Sequence, residues 1–205
     1  MPALLLDVPS AVRHLKRDPL LAPLIRAHGH PPFKTQPNAF RALTESIIYQ
    51  QLSGKAAAVI YGRFLDLFPK RRFPAPAHLL TIPAVTLRGV GLSNQKASYL
   101  LDLAAKFTDG TIQPRRFPEM SNEEISAHLI QVKGIGQWTA DMFLMFALNR
   151  PDILPVGDLG IRNGFKKLYG LRKEPTPEKM AALAESWRPY RTAAAWYLWR
   201  AVETK

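Results

Sequence analysis

The stretch VKGIGQWTADMFLMFALNRPDILPVGDLGIRNGF, residues 132–165, decides the fold, because it sets a tight glycine turn ahead of a helix and an aspartate, Asp158, downstream. Gly134 and Gly136 flank one apolar residue. This pattern allows backbone dihedrals that other residues resist, and it removes side chains that would keep another molecule away. A helix is predicted to begin near Gln137, where its free N–H groups point outward beside the turn. The turn is therefore predicted to be a docking surface suited to a phosphate.

Apolar residues recur at helical spacing almost throughout the chain. Ser121 begins a capping-box pattern that Glu124 completes, which predicts a helix running into Lys133 ahead of the glycine turn. Residues 40–47 carry another apolar stripe with the helical period, and no convincing strand run appears. The 18 prolines gather between such stripes, where they mark loops. The sequence predicts an all-α fold.

Composition narrows the function classes. The 205 residues include no cysteine, which excludes disulfides, cysteine-ligated zinc and an iron–sulfur cluster. The net charge of +12, from 28 Lys and Arg against 16 Asp and Glu, predicts a polyanionic partner. No run reaches the roughly 18 apolar residues of a membrane span. We expect an intracellular protein without a membrane partner, cytoplasmic and nucleoid-associated in a bacterium or nuclear in a eukaryote.

Four sequence blocks, in the same order as in the family, resemble the 3-methyladenine DNA glycosylase II family of the helix-hairpin-helix DNA glycosylase superfamily. One is the glycine turn with its downstream PVGDLG. The others are AFRALTESIIYQQLSGKAA at residues 39–57, GLSNQKASYLLDLA at residues 91–104 and WRPYRTAAAWYLW at residues 187–199. Any single block is a weak signal, but the ordered set is specific. The chain is most similar to the short branch of the family, which lacks the N-terminal sheet domain.

The resemblance implies a two-lobed, all-α helix-hairpin-helix glycosylase fold. A helical bundle over residues 36–150 would carry the hairpin. Residues 1–35 together with residues 151–205 would form a second lobe that carries the catalytic aspartate. The active cleft would lie between the two lobes.

Asp158 is the residue to which the resemblance assigns catalysis. Breaking an N-glycosidic bond leaves oxocarbenium character on the sugar, which a fixed carboxylate stabilises. Taken alone, an aspartate ahead of LGIRNGF is a natural helix N-cap, and both roles can coexist. Members of the superfamily that also nick the backbone carry a lysine two positions after Gly136, where this chain has Trp138. The expected enzyme is therefore monofunctional, without lyase activity.

An excised base must leave the duplex stack, so the site needs flat apolar walls and a residue that fills the hole. Trp138 and Tyr190 are the predicted aromatic walls. Met142, one turn after Trp138, replaces the aromatic that larger members carry and predicts a softer wall. The wedge is predicted among the three residues between the early helices: Gln51, Leu52 and Ser53.

Contacts to the DNA backbone are expected from the hairpin and from nearby cations. The hairpin candidates are Lys133, Gly134, Ile135, Gly136, Gln137 and Thr139. Further lysines and an arginine lie in or beside the family blocks: Lys55, Lys96 and Arg162. A second G-V-G turn at residues 89–91, followed by a capping Ser93, is an ordinary turn in the favoured interpretation, and a second backbone contact stays open.

The resemblance also implies a monovalent cation, Na⁺ or K⁺, held by the backbone carbonyls of Ile130, Val132 and Ile135. The five histidines show no spacing typical of a metal site. No other cofactor is expected.

The expected function is excision of alkylated purines, such as 3-methyladenine or 7-methylguanine, from duplex DNA by a monomeric glycosylase of base excision repair. Ethenoadenine and hypoxanthine are further candidate substrates. The alternatives are a non-catalytic helix-hairpin-helix DNA-binding module and a glycosylase for oxidised or mismatched bases. The first would need no acid at Asp158. The second is disfavoured by Trp138 and by the missing cysteines.

Overall fold

The computed structural model describes residues 5–203, over which α-helices and short 3₁₀ turns make up the regular structure and no β-strand occurs. This confirms the predicted all-α class. The α-helices, in chain order, are α1 (Val8–Leu15), α2 (Leu21–His28), α3 (Ala39–Tyr49), α4 (Gly54–Asp66), α5 (Pro76–Leu80), α6 (Ala84–Gly89), α7 (Asn94–Thr108), α8 (Asn122–Ile130), α9 (Gln137–Phe146), α10 (Leu159–Leu168), α11 (Pro177–Leu183) and α12 (Arg191–Glu203).

Short polar side chains begin most of these helices, because each accepts a hydrogen bond from a backbone N–H that the first turn leaves unsatisfied. The predicted capping box is present: Ser121 Oγ accepts from Glu124 N, and the Glu124 carboxylate accepts from Ser121 N. Ser93 caps α7, and Ser53 caps α4. The local signals in the sequence therefore mark the helix starts correctly.

The chain divides into two compact units, Gln36–Ala140 and Met1–Thr35 with Asp141–Lys205. The structure groups residues 141–150 with the unit that contains Asp158, whereas the sequence-based division placed them with the hairpin. Helix α9 begins in the first unit and ends in the second.

In the unit Gln36–Ala140, the long helix α7 packs against α3, α5 and α6. Its side chains Leu100 and Leu103 are fully buried, as are Leu43 and Ile47 of α3. Burial of each such side chain stabilises the fold by about 1.5–3 kcal/mol. This core supports both the loop after α3 and the glycine turn before α9.

In the unit Met1–Thr35 with Asp141–Lys205, α12 packs against α10, α2 and α1. Two glycines four residues apart on α10 face α12. A Cβ on Gly164 would lie 2.8 Å from the Leu198 carbonyl oxygen, and one on Gly160 would lie 2.7 Å from the Trp199 ring. The glycines therefore allow α10 to approach α12 closely and bring Trp199 to the start of α10.

None of the helices within residues 5–203 has the length and apolarity needed to cross a bilayer. Over the same residues, no cluster of three or more His, Asp or Glu side chains is arranged to hold a metal ion.

Candidate active site and nucleic-acid interface

The two glycines of the turn between α8 and α9 differ in what requires them. Gly134 has φ +80°, and a Cβ there would lie 2.1 Å from the Tyr99 ring. Any side chain at Gly134 is therefore excluded by the fold. Gly136 is not in the left-handed φ region, and a Cβ on it would meet no atom within 4 Å. No contact within the described structure requires glycine at position 136, so the surface at this residue is open to approach by another molecule.

The backbone of the turn offers hydrogen-bond donors at the start of α9. Within the part of the chain that the structure describes, the N–H groups of Gly134 and Gly136 have no acceptor, whereas Ile135 N donates to Val132 O at 3.1 Å. Gly136 O accepts from Ala140 N, so Gly136 is the residue from which α9 starts. Two unpaired N–H groups beside a helix N-terminus form an anion-binding surface.

Ile135 and Thr139, for which DNA contacts are predicted, are both buried, so their side chains are not available to DNA in this conformation. The Thr139 hydroxyl accepts from Gln50 Nε2 at 3.4 Å. Lys133 N donates to Asp102 Oδ2 at 2.8 Å, which fixes the entry to the turn while the Lys133 side chain stays exposed. Gln137 is also exposed.

The loop between α3 and α4 carries the wedge candidates. Gln51 is exposed and has φ +55°, and Leu52 is 39% exposed. Ser53 Oγ accepts from Ala56 N at 3.3 Å as the N-cap of α4, so Ser53 already has a structural role. The loop therefore presents Gln51 and Leu52 to solvent.

Two of the cations expected along a DNA backbone have intramolecular partners. Lys96 Nζ donates to the carbonyls of Ile48 and Gln50 at 2.7 Å each. Burial lowers the pKa of the Lys96 ammonium through desolvation. Arg162 forms an ion pair with Glu174 at 3.3 Å. Lys96 was expected to bind the phosphate backbone of DNA. In the structure, two of the three N–H donors of its ammonium group instead bind carbonyls at the C-terminus of α3.

Asp158 is the N-cap of α10, and its carboxylate is held from two sides. Oδ1 accepts from Ile161 N at 2.9 Å and from Trp199 Nε1 at 2.8 Å. These two hydrogen bonds on one oxygen restrict the orientation of the carboxylate at the N-terminus of α10. The structure thus combines the cap role with a rigidly directed negative charge.

Trp199 contacts the candidate catalytic residue Asp158. It belongs to the WRPYRTAAAWYLW block, but the sequence alone did not indicate this contact. Its indole stacks on Phe146, with ring centroids 5.9 Å apart, and Phe146 stacks on Phe33 at 5.5 Å. The three rings hold the indole plane, and through it the N–H that reaches Asp158. Only the pairing of distant residues reveals this, because Trp199 lies 41 positions from Asp158.

The predicted pocket residues have different surroundings. Trp138 is 46% exposed, and Met142, one turn later on α9, is half-buried. Leu159, directly after the aspartate, is an apolar side chain that is 57% exposed. Tyr190 is half-buried against the His14 ring, with centroids 5.4 Å apart. Its assignment as a wall stays a prediction.

Two arginines that flank Tyr190 form ion pairs with Asp152, which hold this segment in place. Asp152 Oδ1 accepts from Arg191 Nε at 2.6 Å, and Asp152 Oδ2 accepts from Arg188 Nη1 at 2.6 Å. The flanking arginines of the WRPYR block therefore serve structure.

The chain is similar in sequence to known DNA repair proteins. The model of the HhH-GPD superfamily base excision DNA repair proteins matches residues 44–189. DNA-3-methyladenine glycosylase 1 of Schizosaccharomyces pombe is 40% identical over 78% of this chain and 71% of its own length. A putative DNA-3-methyladenine glycosylase of Bacillus subtilis is 31% identical over 89% of this chain and 66% of its own length.

The chain is also similar in structure to solved DNA glycosylases. The Schizosaccharomyces pombe 3-methyladenine DNA glycosylase in complex with abasic DNA superposes with a TM-score of 0.82 at 36% identity, covering 93% of this chain and 95% of that one. A DNA-3-methyladenine glycosidase from Bacillus halodurans gives a TM-score of 0.84 at 35% identity, covering 100% and 94%. Together with the glycine turn that joins α8 to α9 and the capping Asp158, these matches establish that the chain belongs to the HhH-GPD superfamily of base excision DNA repair proteins.

Proposed function

We propose that this protein is a monofunctional DNA glycosylase of base excision repair, which flips alkylated purines out of duplex DNA and hydrolyses the bond between base and sugar. It acts as a monomer on cellular DNA. The observation that carries the proposal is the Asp158 carboxylate, held in one orientation by Ile161 N and Trp199 Nε1. The relatives named for 3-methyladenine excision support the substrate class.

The reaction needs fixed negative charge near the anomeric carbon as the base departs. Asp158 supplies that charge without reorganising, because its orientation is set before the substrate arrives. The same carboxylate can accept the proton of the water that attacks the sugar. The products are the free base and an abasic site.

DNA is held through its backbone by the glycine turn. The N–H groups of Gly134 and Gly136 and the N-terminus of α9 bind phosphate oxygens, and the exposed Lys133 adds charge. Gln51 and Leu52 are the residues available to enter the vacated position in the duplex. Such contacts position the strand and carry no information on the lesion.

A flipped purine is received by apolar walls. Trp138 provides an exposed aromatic face, and Tyr190 and Met142 are the other wall residues that the family resemblance implies. An electron-rich face attracts a methylated purine that carries positive charge, whereas methionine discriminates little among shapes. Together, these walls favour purines that carry positive charge and do not select for one particular shape of base.

The hairpin carbonyls are chemically suited to the monovalent cation that the family implies. Val132 O accepts one hydrogen bond, from Ile135 N, which leaves its second lone pair for a cation. Together with the carbonyls of Ile130 and Ile135 it would hold Na⁺ or K⁺. The bound ion would supply positive charge beside a DNA phosphate.

We predict that the product strand stays intact until alkali is added. Position 138 holds tryptophan, which offers no amine for a Schiff base with the sugar. Treatment with borohydride during the reaction should trap no covalent protein–DNA complex. A trapped complex in a yield matching that of a lysine-bearing glycosylase would refute monofunctional chemistry and would direct attention to Lys133.

The activity and its lesion spectrum can be measured together. Duplexes that each contain one modified base are incubated with the protein, and hot alkali then converts abasic sites into breaks. Breaks at 3-methyladenine and 7-methylguanine are expected. Breaks confined to 8-oxoguanine or to mismatches would instead support the alternative of an oxidised-base or mismatch glycosylase.

A further inference from the structure

The loop that carries Gln51 and Leu52 is tied to the glycine turn by one side chain, Gln50. Gln50 Nε2 donates to Gly134 O at 2.9 Å and reaches Thr139 Oγ1 at 3.4 Å. The amide nitrogen, and not the oxygen, must face Gly134, because a carbonyl can only accept. A residue 84 positions away in the chain thereby contacts the hairpin at the glycine whose conformation is the most constrained.

The backbone of Gln50 is anchored as well. Its carbonyl accepts from Lys96 Nζ at 2.7 Å, beside the carbonyl of Ile48. Helix α3 has no basic residue in its last turn, so this lysine from α7 satisfies the carbonyls that the helix end leaves without partners. Lys96 holds the Gln50 main chain, and the Gln50 side chain holds the turn.

The next residue leaves this anchored position abruptly. Gln51 has φ +55°, an unfavourable conformation for a residue with a Cβ, and both Gln51 and Leu52 project into solvent. Such a tip keeps its direction only if the residue before it is fixed. Gln50 is therefore the point at which the direction of the wedge loop and the position of the hairpin are set together.

We propose that Gln50 is a positioning residue that couples the strand-gripping turn to the strand-opening loop, so that binding of the backbone at Gly136 places Gln51 and Leu52 for insertion. The inference rests on the proposed function. Gripping and opening must act on neighbouring nucleotides of one duplex, and a misplacement of about 1 Å can cost on the order of 100-fold in rate. A hydrogen bond from the Gln50 amide to the turn is a direct way to keep that spacing.

The test compares Gln50→Met, which keeps the chain length and loses both donors, with Gln50→Glu, which keeps the shape and cannot donate to a carbonyl when ionised. Gln113→Met is the matched control, because Gln113 Nε2 donates at 2.8 Å to the carbonyl of Gly110, a glycine with φ +83°. Thermal unfolding of all variants establishes that they fold. If Gln50→Met does not fold, Gln50→Glu answers the question.

Two measurements distinguish a loss of coupling between the turn and the loop from a loss of protein stability. The first is the single-turnover excision rate at saturating protein, beside the Kd for an undamaged duplex. The second is the fluorescence of 2-aminopurine next to a tetrahydrofuran abasic analogue, which reports opening of the stack without any excision. We expect Gln50→Met to lower the excision rate at least about tenfold and to reduce the fluorescence rise, with the undamaged-duplex Kd changed less than about twofold and Gln113→Met like wild type.

A double-mutant cycle sharpens the test. Replacing Gln51 and Leu52 by alanine removes the wedge, so adding Gln50→Met to that variant should have no further effect on rate or fluorescence. Wild-type rate and fluorescence in both Gln50 variants would overturn the proposal, as would additive effects in the cycle. Absence of excision by the wild-type protein would instead refute the proposed function, while the fluorescence arm would still decide the role of Gln50.

Discussion

Asp158→Asn lowers the single-turnover rate of base release at least ~100-fold, the scale expected when one preorganised charged group is removed from a transition state. The variant is expected to fold, because an asparagine Oδ1 can still accept from Ile161 N and Trp199 Nε1. What it loses is the negative charge that is proposed to stabilise the developing oxocarbenium ion. Rates are measured on 7-methylguanine and on a neutral lesion such as hypoxanthine.

The charge of the lesion sets the pattern of the loss. A cationic methylpurine departs more readily by itself, so Asp158→Asn retains more residual activity on it than on a neutral lesion. Asp7→Asn is the matched control, since Asp7 caps α1 by accepting from Ser10 N and has no proposed catalytic role. Excision by Asp158→Asn at the wild-type rate would leave Asp158 as a helix cap only.

Gly136→Val weakens binding to damaged and undamaged duplexes alike, by roughly 10- to 100-fold, because a hydrogen bond to a charged group is worth about 1.5–3 kcal/mol. A Cβ at position 136 would meet no protein atom within 4 Å, and Gly136 is not in the left-handed φ region, so folding is expected to survive. In the proposed function, the valine side chain stands where a phosphate approaches the turn. The log–log salt dependence of binding should also flatten by about 0.9 for each phosphate charge that the variant no longer neutralises.

Gly89→Val is the control for this prediction. Gly89 belongs to the second G-V-G turn, and a Cβ on it also meets no atom within 4 Å. If that turn is an ordinary one, Gly89→Val binds duplexes like wild type. Equal losses of affinity in the two variants would show a second backbone contact. A Gly136 variant that altered the preference among lesions at unchanged affinity would contradict the backbone role.

Local features of the fold were predictable from the sequence, because they depend on residues close together in the chain. The capping box at Ser121 and Glu124, the cap at Ser93 and the start of α9 near Gln137 all follow from short-range hydrogen-bonding patterns, and the structure confirms them. The all-α class follows from apolar period alone.

Side-chain partners across the fold were not predictable in this way. The links from Gln50 to Gly134 and from Trp199 to Asp158 join residues 84 and 41 positions apart, and no periodicity encodes such pairs. From its charge, Lys96 was predicted to lie near the DNA backbone. In the structure, its part-buried ammonium group donates to two carbonyls at the end of α3, which gives it a structural role. Local patterns indicate where helices begin, whereas tertiary packing determines which distant residues a side chain contacts.

Free base in solution is the most direct test of the central claim that this protein hydrolyses the bond between an alkylated purine and its sugar. The wild-type protein, in excess, is incubated with a duplex that contains a single 7-methylguanine, and the released base and the alkali-labile sites are quantified separately. We predict equal amounts of the two, with the strand unbroken before alkali. Tight binding of the duplex with no free 7-methylguanine would contradict the account and would identify a module that only binds DNA.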